Sequence, residues 1–290
     1  MNESNPIIFN RNRLKQHRKR AASTINECDF LLREMAERLA DRLADVNRSF
    51  PLALDLGAHH GVMTDVLEGR GDIGHLVQAD LSEAMIRKTG GLRVVADEEA
   101  LPFAENNFDL VMSCGSLHWV NDLPGTLIQI QKALKPDGLF LAILPGGETL
   151  TELRQSFEQT EMKMKGGISP RISPFVDVRD AGSLLQRAGF ALPVVDSDVL
   201  TVEYEHPLKL LADLRGMGET SALSEGNKHF ISRTFMMAVM EHYTQHFVAE
   251  EGRVRASFEL VTMTGWKPHE SQQQPAKRGS GKMFLGDALQ

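Results

Sequence analysis

The sequence predicts an α/β fold built on a mostly parallel sheet. Three observations lead there. Short apolar runs alternate with helix-period segments from about residue 50 to residue 145. Those runs are apolar on consecutive positions, as in strands covered on both faces. Several of them end in an acid or a glycine turn, the junction of strand and following helix. Strands and helices alternating at this spacing imply right-handed crossovers between parallel strands.

Taken in order, Thr24 and Glu27 have capping-box spacing ahead of Phe30, Leu31, Met35, Leu39 and Leu43, which predicts an amphipathic helix through about Val46. Pro51 precedes the first strand, 52–56. A helix starts near Gly61 with Met63, Val66 and Leu67 on one face. Strands follow at 75–79, ending at Asp80, at 93–96, ending at Asp97, and at 108–113. Residues 124–134 read as a helix stopped by Pro136 and Gly138, and 139–144 as the fifth strand, stopped by Pro145-Gly-Gly. The pattern then changes. Helices are expected at 149–164 and 177–188, flanking a Gly/Pro/Ser loop with Arg171. Residues 192–204 read as two extended pieces. Helices at 207–214 and 232–247 surround a loop from Arg215 to Glu219, and 257–264 alternates like a late strand. The Gln/Ser/Gly-rich end, 270–282, reads as flexible.

Bulk composition narrows the function classes. Hydrophobic content of 42% and charged content of 24% are those of a soluble globular chain. No apolar run approaches the roughly 20 residues of a membrane span. Two cysteines, Cys28 and Cys114, supply neither a disulfide framework nor a cysteine-rich zinc site, and a reducing compartment fits. The net charge of −7 is unevenly placed: Arg11, Arg13, Lys15, Arg18, Lys19 and Arg20 form a basic arm, and the remainder carries −13. The arm reads as a solvated segment or one folded back on the acidic body. An Arg-rich presequence and a grip on RNA or an acidic partner are the alternatives. No aromatic residue interleaves with these charges, so no nucleic-acid partner is expected.

The chemistry-bearing stretch is Asp55-Leu-Gly-Ala-His-His-Gly61. Gly57 lets the backbone approach a ligand closely, and Gly61 suits the start of the next helix. Asp80, at the following strand end, is placed to accept both ribose hydroxyls of a nucleotide-like cofactor. Asp97 with Glu98, one strand later, is placed to accept an adenine amine. Each acid alone is as well explained as a helix N-cap; a glycine turn and two acids on three consecutive strand ends are far more specific. The Gly-x-Gly-x-x-Gly of a nicotinamide site is absent.

These residues carry a resemblance. Asp55-x-Gly-x-x-x-Gly61, Ala79-Asp-Leu-Ser82, Ala96-Asp97, Leu101-Pro-Phe103, Phe108-Asp109 and Leu134-Lys-Pro-Asp-Gly138 are similar to the class I S-adenosylmethionine-dependent methyltransferases. Phe9-Asn-Arg11, Ser116-Leu-His-Trp-Val-Asn-Asp-Leu-Pro124, Gly146-Gly-Glu-Thr-Leu-x-Glu-Leu-Arg154, Ile172-Ser-Pro-Phe175, Leu184-Leu-x-Arg-Ala-Gly-Phe190, Leu214-x-Gly-Met-Gly-Glu219 and Gly265-Trp-Lys-Pro-His-Glu-Ser271 resemble the methyltransferase-fold assembly factors of mitochondrial respiratory complex I and their proteobacterial relatives. The first half is more distantly similar to the malonyl-carrier-protein methyltransferases of biotin synthesis.

The resemblance implies a Rossmann-like fold: a mostly parallel seven-stranded sheet, helices on both faces, and a helical insertion before the last strand. It divides the chain into a basic arm and helix (1–50), a methyltransferase-like domain (51–270, insertion at about 205–250, placed to form a lid) and a flexible tail (271–290). It implies S-adenosylmethionine as cofactor, held by Asp55, Gly57, Ala58, Gly61, Asp80, Leu81, Asp97, Glu98, Ser113 and Leu117. His118 is the candidate base and Trp119 a wall of the acceptor site, although pocket packing explains both. No metal site is expected: none of the ten histidines has an acid two residues on, the spacing usual in non-haem iron oxygenases. Three functions stay open: methyl transfer to a protein or small molecule, hydroxylation of an arginine in a complex I subunit, or chaperoning of assembly without catalysis. Glu148, Glu152, Glu219 and Glu270 are candidate partners for a guanidinium, with solvated carboxylates as the plainer reading. A cytoplasmic place in a bacterium, or the matrix side of a mitochondrion, is implied. One position departs from the pattern. His59 stands where glycine is usual, and a left-handed backbone there would cost roughly 1–2 kcal/mol.

Overall fold

The computed structural model describes residues 7–225 and 231–273. Strands β1 (Phe50–Leu56), β2 (Ile73–Asp80), β3 (Leu92–Val95), β4 (Phe108–Cys114), β5 (Leu134–Pro145), β6 (Ala191–Tyr204) and β7 (Val254–Trp266) form one seven-stranded sheet in the order β3-β2-β1-β4-β5-β7-β6. The five strands from β3 to β5 run parallel to one another. β7 runs antiparallel to both β5 and β6. The helices are α1 (Arg11–Ala21), α2 (Ile25–Cys28), α3 (Phe30–Ala44), α4 (Val62–Leu67), α5 (Glu83–Ile86), α6 (Leu123–Ala133), α7 (Thr151–Lys165), α8 (Val178–Arg187), α9 (Pro207–Met217) and α10 (Arg233–His246). The expected class is the observed one, with α9 and α10 inserted between β6 and β7.

Two cores cover the two faces, and the period of the strands assigns residues to them. Along β5, Leu139, Leu141 and Ile143 face the core shared with α3, α4, α7, α9 and α10. Phe140, Ala142 and Leu144 face the core shared with α6 and α8. Helix α3 exposes none of Leu39, Ala40 or Leu43; each fully buried leucine contributes about 1.5–3 kcal/mol. Parallel pairing also sets the site: every β-to-α turn of β1, β2, β3 and β4 opens at one end of the sheet.

Four local expectations need correction. The helix expected from Thr24 to Val46 is broken at Asp29, whose carboxylate is held by His60 at 3.0 Å and Arg33 at 2.8 Å. Thr24 caps nothing; its hydroxyl donates to the Ala21 carbonyl. Residues 192–204 lie in one continuous strand, because β6 pairs with β7 almost throughout, with a register shift between Ala191 and Val194. Of the loop predicted from Arg215 to Glu219, residues 215–217 form the last turn of α9, and the chain leaves the helix at the left-handed Gly218. Of the expected tail, 271–273 are described and 274–290 lie outside the described residues, as do 226–230 of the insertion.

The basic arm folds back onto the body as helix α1. Asn10 caps it, accepting from the Arg13 amide at 2.9 Å, and Arg18, Lys19 and Arg20 occupy its last turn, where the helix dipole favours cations. Its buried face is Leu14, Arg18 and Ala21, spaced i, i+4 and i+7. Phe9 bridges to Leu223, the Asn10 amide donates to Ala222, and Arg13 donates to the Leu223 carbonyl. The arm is thereby sewn to the chain that follows α9.

Candidate active site

The glycine turn forms as its spacing requires. Gly57 has φ +76° and Gly61, the N-cap of α4, has φ +98°, conformations that glycine adopts without steric cost. The Gly57 and Ala58 amides both donate to the Ala79 carbonyl, tying the turn to β2. Between them His59 is left-handed too, at φ +50°. Its imidazole is fully buried, and Nε2 lies 3.1 Å from the Cys114 carbonyl and 3.2 Å from that of Gly115. Two acceptors require Nε2 to carry the proton. Burial, and then Arg18, push the ring down to about 3, so it is neutral. His59 therefore pays for its backbone with a pinned ring.

Beyond the turn stand the acids, and the arm lies on them. Arg18 is fully buried. Its Nη1 donates to Asp80 Oδ2 at 3.1 Å and Glu98 Oε1 at 3.2 Å, and its Nη2 to Ser116 Oγ at 2.9 Å. The Ser116 hydroxyl in turn donates to Glu98 at 2.6 Å. Arg11 donates to Glu98, to Asp97 at 2.6 Å and to the Trp119 carbonyl. Burial opposes the charge on both arginines, yet the acids hold each above its ordinary value: Asp80 and Glu98 for Arg18, Glu98 and Asp97 for Arg11. Burial raises the Glu98 carboxyl, but Arg18 and Arg11 outweigh it and hold Glu98 below the usual range. Burial prevails at Asp80, which is raised despite Arg18. Asp80 is otherwise saturated, taking the His59 amide at 3.0 Å and the Ser82 amide at 2.6 Å.

The remaining candidates divide. Glu98 rather than Asp97 is the acid turned into the site: Asp97 is half-exposed and accepts from the Glu99 amide, the turn role that competes with ligand binding. Asp55 is fully buried beneath the turn, and among the described residues neither of its oxygens has a partner; burial and Asp80 push it up to about 8. Ser113 spends its hydroxyl on the Leu56 carbonyl, inside the sheet. Ala58, Leu81 and Leu117 are buried apolar contacts. Arg11, Arg18 and Ser116 are the site residues that sequence reading missed. For Arg18 the signal was present: Leu14, Arg18 and Ala21 share one helical face.

On the far side of Ser116 the short 3-10 turn Leu117–Trp119 presents the acceptor candidates. His118 Nε2 lies 2.9 Å from Glu219 Oε2, and Trp119 Nε1 donates to the same oxygen at 2.8 Å. The Trp119 ring meets Phe9 edge-on, centroids 5.2 Å apart. Burial raises the Glu219 carboxyl, but His118 and then Arg18 more than reverse this, so it is ionised. Its Oε1 is buried with no partner among the described residues. His118, Trp119 and Glu219 line a cavity of about 720 Å³ whose other walls include Phe157, Arg171 and Phe175. Arg171 is neutralised by Glu161 at 3.0 Å and stacks on Phe157 and Phe235. Of the four carboxylates expected to meet a guanidinium, Glu152 is bound to the Ser257 amide and hydroxyl, and Glu148 and Glu270 are exposed and do not line the cavity. Glu219 alone of the four lines it. Among the described residues no group of three His, Cys, Asp or Glu could hold a metal.

Comparison with known proteins places these features. Residues 54–142 match the model of a methyltransferase domain. The mitochondrial arginine-hydroxylase NDUFAF5 of Homo sapiens is 44% identical over 97% of this chain and 83% of its own length. Its Danio rerio counterpart is 42% identical over 97% and 89%. A malonyl-[acyl-carrier protein] O-methyltransferase of Gallionella capsiferriformans is 29% identical over 91% and 93%. Among solved structures, the YcgJ protein of Bacillus subtilis superposes with a TM-score of 0.55 at 14% identity, over 80% of this chain and 98% of that one. That likeness is one of fold.

Proposed function

The chain belongs to the family of the mitochondrial arginine-hydroxylase NDUFAF5, and from that membership we propose that it acts on an arginine side chain of a protein. It is a methyltransferase-fold enzyme, and S-adenosylmethionine is the cofactor of that fold. The residues present fit that group in kind. Gly57 is left-handed at the strand end, Asp80 ends β2 to receive ribose hydroxyls, and Glu98 follows β3 to receive an adenine amine. When bound, the cofactor supplies a sulfonium and an electrophilic methyl group.

The observation that carries the substrate reading is Glu219. An ionised carboxylate with one buried, unpartnered oxygen stands in the wall of a cavity whose lining also includes Arg13, Arg171 and Arg215. A guanidinium would complete its hydrogen bonding with a charge-assisted pair. Trp119 Nε1 and His118 fix the other oxygen, so the carboxylate is held in one orientation. The insertion helices close over this space: Leu208, Leu211 and Met236 line it, as a lid excluding water would.

In the reading supported by the family's name, one oxygen atom of O₂ enters a C–H bond of the arginine. The other leaves as water, with two electrons and two protons from an external reductant. Methyl transfer is the second reading, favoured by the methyltransferase domain and the O-methyltransferase relative. There the chain's own part is to align the acceptor nitrogen and keep water out. We place the substrate among respiratory complex I subunits, and the enzyme in the bacterial cytoplasm or the mitochondrial matrix. Among the described residues no helix is long and apolar enough to cross a membrane.

Intact mass of complex I subunits from strains with and without this chain is the test. A subunit lighter by one oxygen atom in the deletion strain is the expected result. A loss equal to one methylene group replaces hydroxylation by methylation, and an unchanged set of masses rejects both and leaves an assembly chaperone.

A further inference from the structure

The acids that should receive the cofactor are already in use. Asp80 and Glu98 are fully buried, and both accept from the single guanidinium nitrogen Nη1 of Arg18. The space against Gly57 is filled as well: a β-carbon built there would lie 2.1 Å from Ser116 Cβ and 2.2 Å from its Oγ, and that Oγ is itself bound to Arg18. Arg11 covers Glu98 from the other side and reaches Asp97. We propose that helix α1 is an internal plug of the cofactor cradle, with Arg18 and Arg11 as surrogate ligands of Asp80 and Glu98 that must withdraw before S-adenosylmethionine binds. This inference rests on the cofactor assignment above and adds to it a competing state of the same site.

Three features make the plug exchangeable. Its contacts to Asp80, Glu98 and Ser116 are polar, made by side chains long enough to swing without dismantling the sheet, while Leu14 of the helix packs in one apolar cluster with Leu81. Its fit is incomplete, since Arg18 Nε is buried without a hydrogen-bond partner among the described residues and Arg11 Nε has only Glu99, at 3.7 Å. A ligand offering ribose hydroxyls and an amine can replace those donors one for one. The arm also has a hold outside the cradle. His17 pairs with Thr220, Arg13 with the Leu223 carbonyl, and Phe9 with both Leu223 and Asn121. The same stretch carries Glu219, so an arm released from Asp80 and Glu98 pulls on the wall of the acceptor cavity. Cofactor arrival and acceptor-site shape are thereby mechanically joined.

Calorimetric titration of S-adenosylhomocysteine into the full chain and into its Arg18→Leu variant tests this. Loss of the surrogate ligand is expected to tighten binding at least about tenfold, a difference of about 1.4 kcal/mol. Hydrogen exchange of the unaltered protein is the companion measurement, and it holds even if the variant folds poorly. Ligand addition is expected to raise exchange across residues 11–21 while lowering it around Gly57 and Asp80. If the unaltered chain binds and Arg18→Leu binds no tighter, or if residues 11–21 become better protected, the plug is refuted and the arm is a clamp that grips the cofactor. If neither protein binds, the cofactor assignment fails and the plug falls with it.

Discussion

Replacing Gly57 by alanine tests how the cradle is packed. The added methyl meets two constraints at once. Gly57 has φ +76°, and a left-handed backbone costs a residue with a β-carbon roughly 1–2 kcal/mol. The methyl would also lie 2.1 Å from Ser116 Cβ and 2.2 Å from its Oγ, so Ser116 has to move. Overpacking of a close-packed interior costs about 1–3 kcal/mol. Ser116 is poorly placed to yield, because its hydroxyl both donates to Glu98 and accepts from Arg18. The sum is about 2–5 kcal/mol, or a melting point lower by roughly 4–20 °C in a domain of this size. Thermal unfolding by circular dichroism, without added ligand, is the assay. Ser116→Gly removes the obstructing atoms, so in the double variant the packing part should return while the backbone part stays lost. A Gly57→Ala protein that melts within about 2 °C of the parent would show that Ser116 does not fill the cradle.

Three further outcomes follow from the same geometry. Asp55 binds a proton up to about pH 8 in the fold, against 3.8 ordinarily. Between those values the unfolded chain has lost a proton the native one keeps, so stability falls as pH rises and the loss is complete above about 8. Asp55→Asn should remove up to about 1.4 kcal/mol per pH unit of that decline. Urea midpoints between pH 6.5 and 8 check it, and parallel curves for parent and variant would refute it. His59→Gly relieves the left-handed strain of roughly 1–2 kcal/mol but forfeits a buried ring and its shared hydrogen bond. We expect a net loss of about 1–3 kcal/mol, and a gain in melting point would reverse the reading of His59. Glu219→Gln should weaken an arginine-bearing peptide substrate at least about tenfold while leaving the near-ultraviolet dichroism of Trp119 unchanged; equal affinity, measured by titration, counts against a guanidinium site.

The fold was legible because its signals are local. Apolar runs such as 139–144 and the Asp55–Gly61 turn carry their own periodicity and turn chemistry. Asp80 was legible for the same reason, as an acid closing a strand. The choice between Asp97 and Glu98 was not, since neighbouring positions differ only in which way the chain turns after β3. Ser113 looked available, yet its hydroxyl is consumed by Leu56, a contact 57 residues away. Most opaque was the arm. Six cations and no acid read as a solvated stretch or one folded back on the acidic body; the second holds, and the shared face of Leu14, Arg18 and Ala21 points to Arg18, but its partners Asp80, Glu98 and Ser116 meet it only in the folded chain. The break at Asp29 has the same origin, because His60 and Arg33 meet there only in the folded chain.

The arm's long reach has a consequence for how the molecule assembles. Arg18 meets Asp80, Glu98 and Ser116 across 62, 80 and 98 residues, and Arg13 meets Leu223 across 210. Contacts of such sequence separation form late, because each must close a long loop first. On the ribosome the arm emerges before its partners, and at about 5–20 residues per second it waits roughly 10–40 s for the last of them. During that interval six like charges have no fixed counterions, and an anionic surface such as ribosomal RNA competes for them. In a Trp266→Phe variant, which leaves Trp119 as the sole tryptophan, refolding followed by Trp119, whose indole rests against Phe9, reports the docking step directly. Its fluorescence should settle after far-ultraviolet dichroism has reached its native value; simultaneous traces would mean that the arm joins the folding nucleus instead.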